Sequence, residues 1–349
     1  MRILVDITHP AHVHFFRNAI AELRKRGHSV AVTTRQKDVT IALLNNFNIP
    51  YTTLSKTGRG RISLFSEMLI RDARLWNFCR RFKPDILTAI SGVFAAHAGF
   101  FTGKPVVVWD DTEIATMSHR ITHPFVDAVY SPDCYKKSLG KKHHLYPGCH
   151  ELAYLHPNRF TADAEVVKSI GIDLEEKYCI IRFVSWQAHH DIGQRGFADE
   201  QKLQFVKEIA GYARPYITSE AELPKEFKSY RLDIPVHQIH HVLAFAALCV
   251  GEGATMASES AVLGVPAVYV NTLKLGYIDM LEEYGLIKQT ADTQEALRQS
   301  IDWLCDAEAK EKCIAAREKL LADKIDVTDF IVETIERVAE KHRSEKVHS

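Results

Sequence analysis

The chain has 349 residues, and 44 Lys and Arg against 44 Asp and Glu leave it with no net charge. At 46% hydrophobic and 25% charged it has an ordinary globular composition, its length fits about two domains, and its balance excludes a broadly basic nucleic-acid binder. The zero conceals a split, since residues 1–155 hold 21 Lys and Arg against 12 Asp and Glu, and the remainder 23 against 32. No apolar run approaches the ~20 residues of a membrane span, and the opening MRILVDITHP reads as a strand rather than a signal peptide. Seven cysteines without a C-x-x-C pair fit a reducing compartment, so a cytoplasmic location is expected.

Taken in order, short apolar runs alternate with helical patterns. Ile3–Ile7 is a strand, Thr8–His14 a loop, and Phe15–Arg26 a helix with Phe16, Ala19, Ile20 and Leu23 on one face. Ser29–Thr34, Asp85–Ala89, Pro105–Trp109 and Val126–Tyr130 read as strands, Asp38–Phe47 and Ala95–Phe101 as helices. Pro147, Gly148, Pro157 and Asn158 mark an interdomain connection. The alternation restarts with strands Tyr178–Val184, Pro215–Ile217, Leu248–Val250 and Ala267–Val270, and helices near 200–210, 242–246 and 255–263. From Thr293 onward the chain is helical and charged. Continuous apolar strands separated by helices imply parallel sheets covered on both faces. The expected architecture is α/β: two Rossmann-like α/β/α domains facing across a cleft, with ligands beyond the carboxyl ends of the strands. Expected boundaries are 1–155, 156–327, and a terminal helix over 328–349 packing back on the first domain.

Gly251-Glu252-Gly253-Ala254-Thr255-Met256-Ala257-Ser258-Glu259 follows a buried strand and opens a helix. Free N–H groups and the positive end of the helix dipole suit such a turn to phosphate. Glu259 falls one to two turns along, where a carboxylate accepts hydrogen bonds from ribose hydroxyls. An ordinary tight strand-to-helix turn explains the same local pattern.

The run G-E-G-A-T-M-A-S-E-x-A-x-x-G-x-P resembles the donor-nucleotide motif of GT-B glycosyltransferases. It is similar to that of the lipid II N-acetylglucosaminyltransferase and of UDP-N-acetylglucosamine 2-epimerases. Nearly the whole chain, including Y-P-G-C-H-E-L-A-Y-L and S-W-Q-A-H-H-D, also resembles an uncharacterised GT-B-like family, domain of unknown function 354. The resemblance implies that Gly253 and Ala254 meet a diphosphate and Glu259 the ribose, with Gly251 and Thr255 in the same nucleotide-sugar site. Glu252 stands where relatives usually have Ser, and a carboxylate there repels a diphosphate unless it is protonated, paired or turned away.

Four further groups complete the expected site. His12, in the first loop, aligns with a histidine of the lipid II transferase and suits general-base work near neutral pH; capping the first helix is the alternative. Asp110 and Asp111 end a buried strand, placed to orient His12, to bind sugar hydroxyls, or to act as acid and base. Arg182, Ser185 and His189 end the first strand of the second half, with Arg182 a planar fork for phosphate oxygens, and His240 precedes the Gly-rich turn. Residues 56–83 carry eight Lys and Arg interleaved with apolar residues; Arg59, Arg61 and Trp76 mark an acceptor-side or membrane-facing surface there.

The function expected is transfer of a sugar from a nucleotide diphosphate, UDP favoured, to a glycan or lipid-linked acceptor in cell-envelope polysaccharide synthesis. Peripheral contact with the inner face of the membrane goes with it; cofactor, metal and nucleic acid are not expected. A UDP-sugar 2-epimerase is the alternative. Asp110 and Asp111 fit it, but no Glu occurs in Ala115–Arg120, where such enzymes place one. A non-catalytic sugar-nucleotide-binding protein is the third reading.

Overall fold

The computed structural model describes residues 1–56, 61–184, 197, 199–219 and 223–347, with the side chains of 38, 61–66, 199–200 and 347 outside that description. The chain divides into two compact units, residues 1–154 with 325–349, and residues 155–324. The basic excess of the first half persists by unit, with 25 Lys and Arg against 18 Asp and Glu in the first and 19 against 26 in the second.

The first unit runs β1 (Arg2–Ile7), α1 (Pro10–Lys25), β2 (Ser29–Gln36), α2 (Asp38–Asn46), β3 (Thr52–Lys56), α3 (Arg61–Phe82), β4 (Ile86–Ile90), α4 (Val93–Thr102), β5 (Val106–Trp109), α5 (Thr116–Thr122), β6 (Ala128–Pro132), β7 (His143–Tyr146) and α6 (Leu152–Leu155). The second contains α7 (Ala164–Ser169), β8 (Tyr178–Phe183), α8 (Asp199–Ile209), β9 (Arg214–Ser219), α9 (Ile239–Phe245), β10 (Leu248–Gly251), α10 (Ala254–Val262), β11 (Ala267–Val270), α11 (Gly276–Glu283), β12 (Ile287–Thr290), α12 (Thr293–Cys305) and α13 (Ala309–Asp323). A final helix, α14 (Val327–Val347), returns to the first unit.

Seven strands in the order β3-β2-β1-β4-β5-β6-β7 form the first sheet, and five in the order β12-β11-β10-β8-β9 the second. All the strand pairs are parallel. The strand order reverses between β1 and β4 in one sheet and between β8 and β10 in the other. Ligands of open α/β sheets bind at such switch points, beyond the carboxyl ends of the strands.

The central strands are covered on both faces, as their unbroken apolar runs require. Val106, Val107, Val108 and Trp109 are inaccessible, as are Ile180, Ile181, Val268 and Tyr269. Helix α14 buries Val327, Ile331, Ile335 and Ala339, a four-residue repeat that lines one face of a helix. It packs on α1 and β4, and its Phe330 ring meets those of Trp109, Tyr130 and Tyr146. Among the described residues no helix is long and apolar enough to cross a membrane.

Candidate functional site

In the first unit the expected loop over Thr8–His14 is corrected to two residues, because α1 starts at Pro10. The signal was Pro10 itself, whose missing N–H and fixed φ suit the first position of a helix. His9 caps the helix, its ring accepting from the Ala11 N–H at 3.3 Å. His12 therefore rides the first turn, its Nδ1 facing the Thr8 N–H at 3.4 Å and the Thr8 hydroxyl at 3.5 Å. Burial, reinforced by the neighbouring His9 and His150, holds the His12 imidazole well below its ordinary pKa, against the opposing pull of Asp111.

The adjacent acids at the end of β5 diverge. Asp111 pairs with His150 Nδ1 at 3.1 Å and accepts from the Thr112 hydroxyl at 2.9 Å. Burial pushes its carboxyl up, but His150, Thr112 and His12 outweigh it and bring Asp111 down to about 2. Burial opposes the charged form of His150, and Asp111 reverses that and raises it. The result is an ionised carboxylate between two histidines of different character. His150 was not among the expected site residues, although it sits in the Y-P-G-C-H-E-L run; its ring packs on Phe15, centroids 4.4 Å apart. Asp110 instead faces His119, with Oδ2 to Nε2 at 2.8 Å. His12, Asp111 and His150 are thus brought together, and Asp110 joins a different group.

Beneath this surface lies a buried polar framework that the sequence did not announce. Arg71, counted in the basic stretch, is fully buried and pairs with Asp6 at 2.6 Å. Asp6 also accepts from the Thr33 hydroxyl at 2.7 Å, and Arg71 donates to Ser55 at 3.3 Å. The same face of α3 buries Glu67, Leu75 and Cys79, while Leu69, Ile70 and Trp76 are exposed. Trp76, Arg80, Lys83, Phe101 and Lys104 line a surface cavity of about 370 Å³. Arg59 lies outside the described residues, and of Arg61 only the backbone, at the start of α3, is described.

In the second unit the Gly-rich turn joins β10 to α10. Gly251 pairs in register with Arg182 of β8, and a Cβ there would meet Arg182 Cβ at 2.7 Å and its carbonyl oxygen at 2.8 Å. Only glycine fits. Gly253 precedes α10, where no side chain caps the first N–H groups, and Thr255 is exposed in the opening turn. Glu252 is turned away from this turn, buried and accepting from the backbone N–H groups of Val184 and Phe197, both at 2.9 Å. The repulsion expected of it is thereby relieved, and it ties the turn to the segment that follows β8. Glu259 is buried and joined to His240, Oε1 to Nε2 at 2.9 Å. Two residues expected separately at a nucleotide site are therefore one unit. Ser185 and His189 lie outside the described residues.

The sequence matches the family described as Protein of unknown function (DUF354) over residues 1–340. The chain belongs to that family. An uncharacterized protein of Methanocaldococcus jannaschii is 24% identical over 314 residues, 84% of this chain and 89% of the relative. Among solved structures, the UDP-GlcNAc 2-epimerase from Neisseria meningitidis bound to UDP-GlcNAc superposes with a TM-score of 0.68 at 12% identity, over 97% of this chain and 100% of the other. The glycosyltransferase VinC in complex with dTDP gives 0.63 at 13% identity, over 98% and 100%. The DUF354 chain therefore has the fold shared by GT-B glycosyltransferases and UDP-GlcNAc 2-epimerases.

Proposed function

We propose that the protein is a glycosyltransferase moving a sugar from a nucleotide diphosphate, UDP favoured, to a glycan or lipid-linked acceptor. The observation that carries this is the turn after β10. There a glycine lets two strands close up, an uncapped helix start offers N–H groups, and Glu252 is turned aside. Such a turn takes a diphosphate, and it would stabilise the charge that develops on the leaving group. Arg182, Gly251, Gly253, Ala254 and Thr255 are assigned to the diphosphate, and Glu259, held by His240, to the ribose. His12 is assigned as the base that accepts the acceptor's proton. Its depressed pKa keeps the imidazole neutral and able to do so at neutral pH. Asp111, held in place by its bond to His150, would stabilise the imidazolium that results.

An epimerase shares the donor site and differs in what becomes of the sugar. The acids after β5 support that second reading; the engagement of each by a histidine and the lack of a Glu in Ala115–Arg120 support transfer. Incubation of the pure chain with UDP-, dTDP-, GDP- and CMP-sugars, with and without lipid-phosphate acceptors, separates them. Acceptor-dependent release of nucleotide diphosphate is expected, and a C2-epimerised sugar without acceptor would overturn the assignment. Glu259→Ala is expected to weaken nucleotide binding by ~10-fold or more, consistent with loss of a charge-assisted hydrogen bond.

The exposed apolar residues of the first unit support a membrane-linked acceptor. Trp76 on α3 and Phe101 on α4 line a cavity together with Arg80, Lys83 and Lys104, a basic and aromatic pairing suited to an anionic interface. Co-sedimentation with vesicles containing phosphatidylglycerol should fall several-fold in Trp76→Ala/Phe101→Ala; equal binding to neutral vesicles would remove the membrane from the proposal.

A further inference from the structure

A group of buried polar atoms at the carboxyl end of β5 has no role in sugar transfer as assigned above. One ligand atom from each of Asp110, His119 and His123 lies within 4.8 Å of the others. Asp110 is 1% exposed at its side chain and His119 10%, so both are cut off from water. Asp110 Oδ2 and His119 Nε2 approach to 2.8 Å, yet neither they nor His123 Nε2 has a hydrogen-bond partner among the described residues. His119 and His123 stand four residues apart, His119 in α5 and His123 in the 3-10 turn that follows it, and their rings stack at 4.8 Å and 16°. That i, i+4 arrangement aims two imidazoles from one helix face at one point, as in helical zinc sites.

We infer that Asp110, His119 and His123 form a binding site for a divalent first-row transition-metal ion, zinc being the type. Tetrahedral metal–ligand bonds of ~2.0–2.2 Å set neighbouring ligand atoms roughly 3.3–3.6 Å apart, so the Asp110–His119 approach of 2.8 Å need open only slightly to admit an ion. A rotation of the half-buried His123 ring brings the third donor in. Two imidazoles and one carboxylate suit zinc, iron or nickel rather than magnesium or calcium, which favour oxygen ligands. Three protein donors leave a coordination position for water or a ligand oxygen. Asp110 Oδ1 accepts from the Thr112 N–H at 3.1 Å, which fixes the carboxylate with Oδ2 toward the histidines, as outer-shell bonds do in metal sites. His143 is not counted as a ligand. Its Nδ1 accepts from the Leu139 N–H at 3.2 Å, so its Nε2 carries the proton. This site departs from the metal-free expectation drawn from the sequence, and it stands apart from the transferase reading.

The test uses the full-length, tag-free chain after dialysis against a chelator. Zinc is titrated in competition with a chromophoric chelator, and cobalt is added separately for its visible absorption. One ion per chain is expected, with a rise in Tm on binding and a cobalt band of low-symmetry, nitrogen-and-oxygen coordination. His123→Ala should weaken zinc by ~100-fold or more, beyond the loss typical of an outer-shell partner, and abolish the rise in Tm. His123 is only half-buried, so this variant tests the site even if Asp110→Asn fails to fold. His12→Ala should bind zinc as the parent does. Less than stoichiometric binding by the parent, undiminished binding by His123→Ala, or loss in His12→Ala instead would each overturn the inference.

Discussion

The two sheets end differently. At the carboxyl end of the second, Glu252 is spent on the scaffold, accepting two backbone N–H groups, and Glu259 is held by His240. At the carboxyl end of the first, ionisable side chains face one another. His12, Asp111 and His150 make one group, and Asp110, His119 and His123 another. Several of their atoms, among them His150 Nε2 and His119 Nε2, have no hydrogen-bond partner among the described residues. A site that holds a ligand rigidly needs its polar groups satisfied before the ligand comes, whereas groups that move protons or take ions must keep capacity in hand.

This contrast can be broken in four ways. His12→Ala should cost ~10²- to 10⁴-fold in transfer rate, the range for losing a general base, with nucleotide affinity unchanged. Equal losses in both would erase the division of labour between the two ends. Arg71→Met should destabilise the first unit by ~3–5 kcal/mol because it strands the Asp6 charge, and Asp6→Asn added to it should restore much of the loss; urea unfolding reads both. Glu252→Gln, which replaces one backbone acceptor with an amide donor, should cost ~1–3 kcal/mol in the second unit and shift its unfolding midpoint rather than that of the first.

The smallest effect is at His97. Its hydrogen bond to Asp72 (2.9 Å), opposed by burial, raises its pKa. A raised folded pKa gives stability that is complete below the unfolded value of ~6.5 and lost as pH rises through the folded one. The Tm gap between the parent and Asp72→Asn should therefore narrow from pH 6 to pH 8, by less than ~1 kcal/mol in equivalent stability.

What could be read from the sequence followed from burial. Strands sealed on both faces, such as Val106–Trp109 and Ala267–Val270, carry a continuous apolar run and show themselves. Edge strands show themselves less, and of the edge strand β9 only Pro215–Ile217 carries a readable run. Thr52–Lys56 and His143–Tyr146 are half polar because one side lacks a neighbour, and short α5 has too few turns to display a period. The same limit applies to the site. The turn after β10 is legible because small residues between a buried strand and a helix form a local pattern, whereas the reason for Gly251, avoidance of Arg182 on the neighbouring strand, is not local. Asp111 with His150, Asp6 with Arg71, and Asp110 with His119 and His123 depend on pairings across 39, 65 and up to 13 positions respectively, which no local pattern records. Histidines are dense at residues 9–14, whereas the i, i+4 pair at 119 and 123 spans a short helix and the turn after it, with its carboxylate on another element.

The return of α14 to the first unit bears on the order of synthesis. Ile325 donates to the Pro147 carbonyl at 3.0 Å, and Thr328 bonds the Ala153 carbonyl at 2.6 Å. On the ribosome, residues 155–324 emerge before the helix that seals Trp109 and Tyr130 does. The second unit can thus complete its fold first, while the nascent first unit waits with an apolar face uncovered. A stop codon before Val327 would spare the unit translated in the middle and cripple the one begun first.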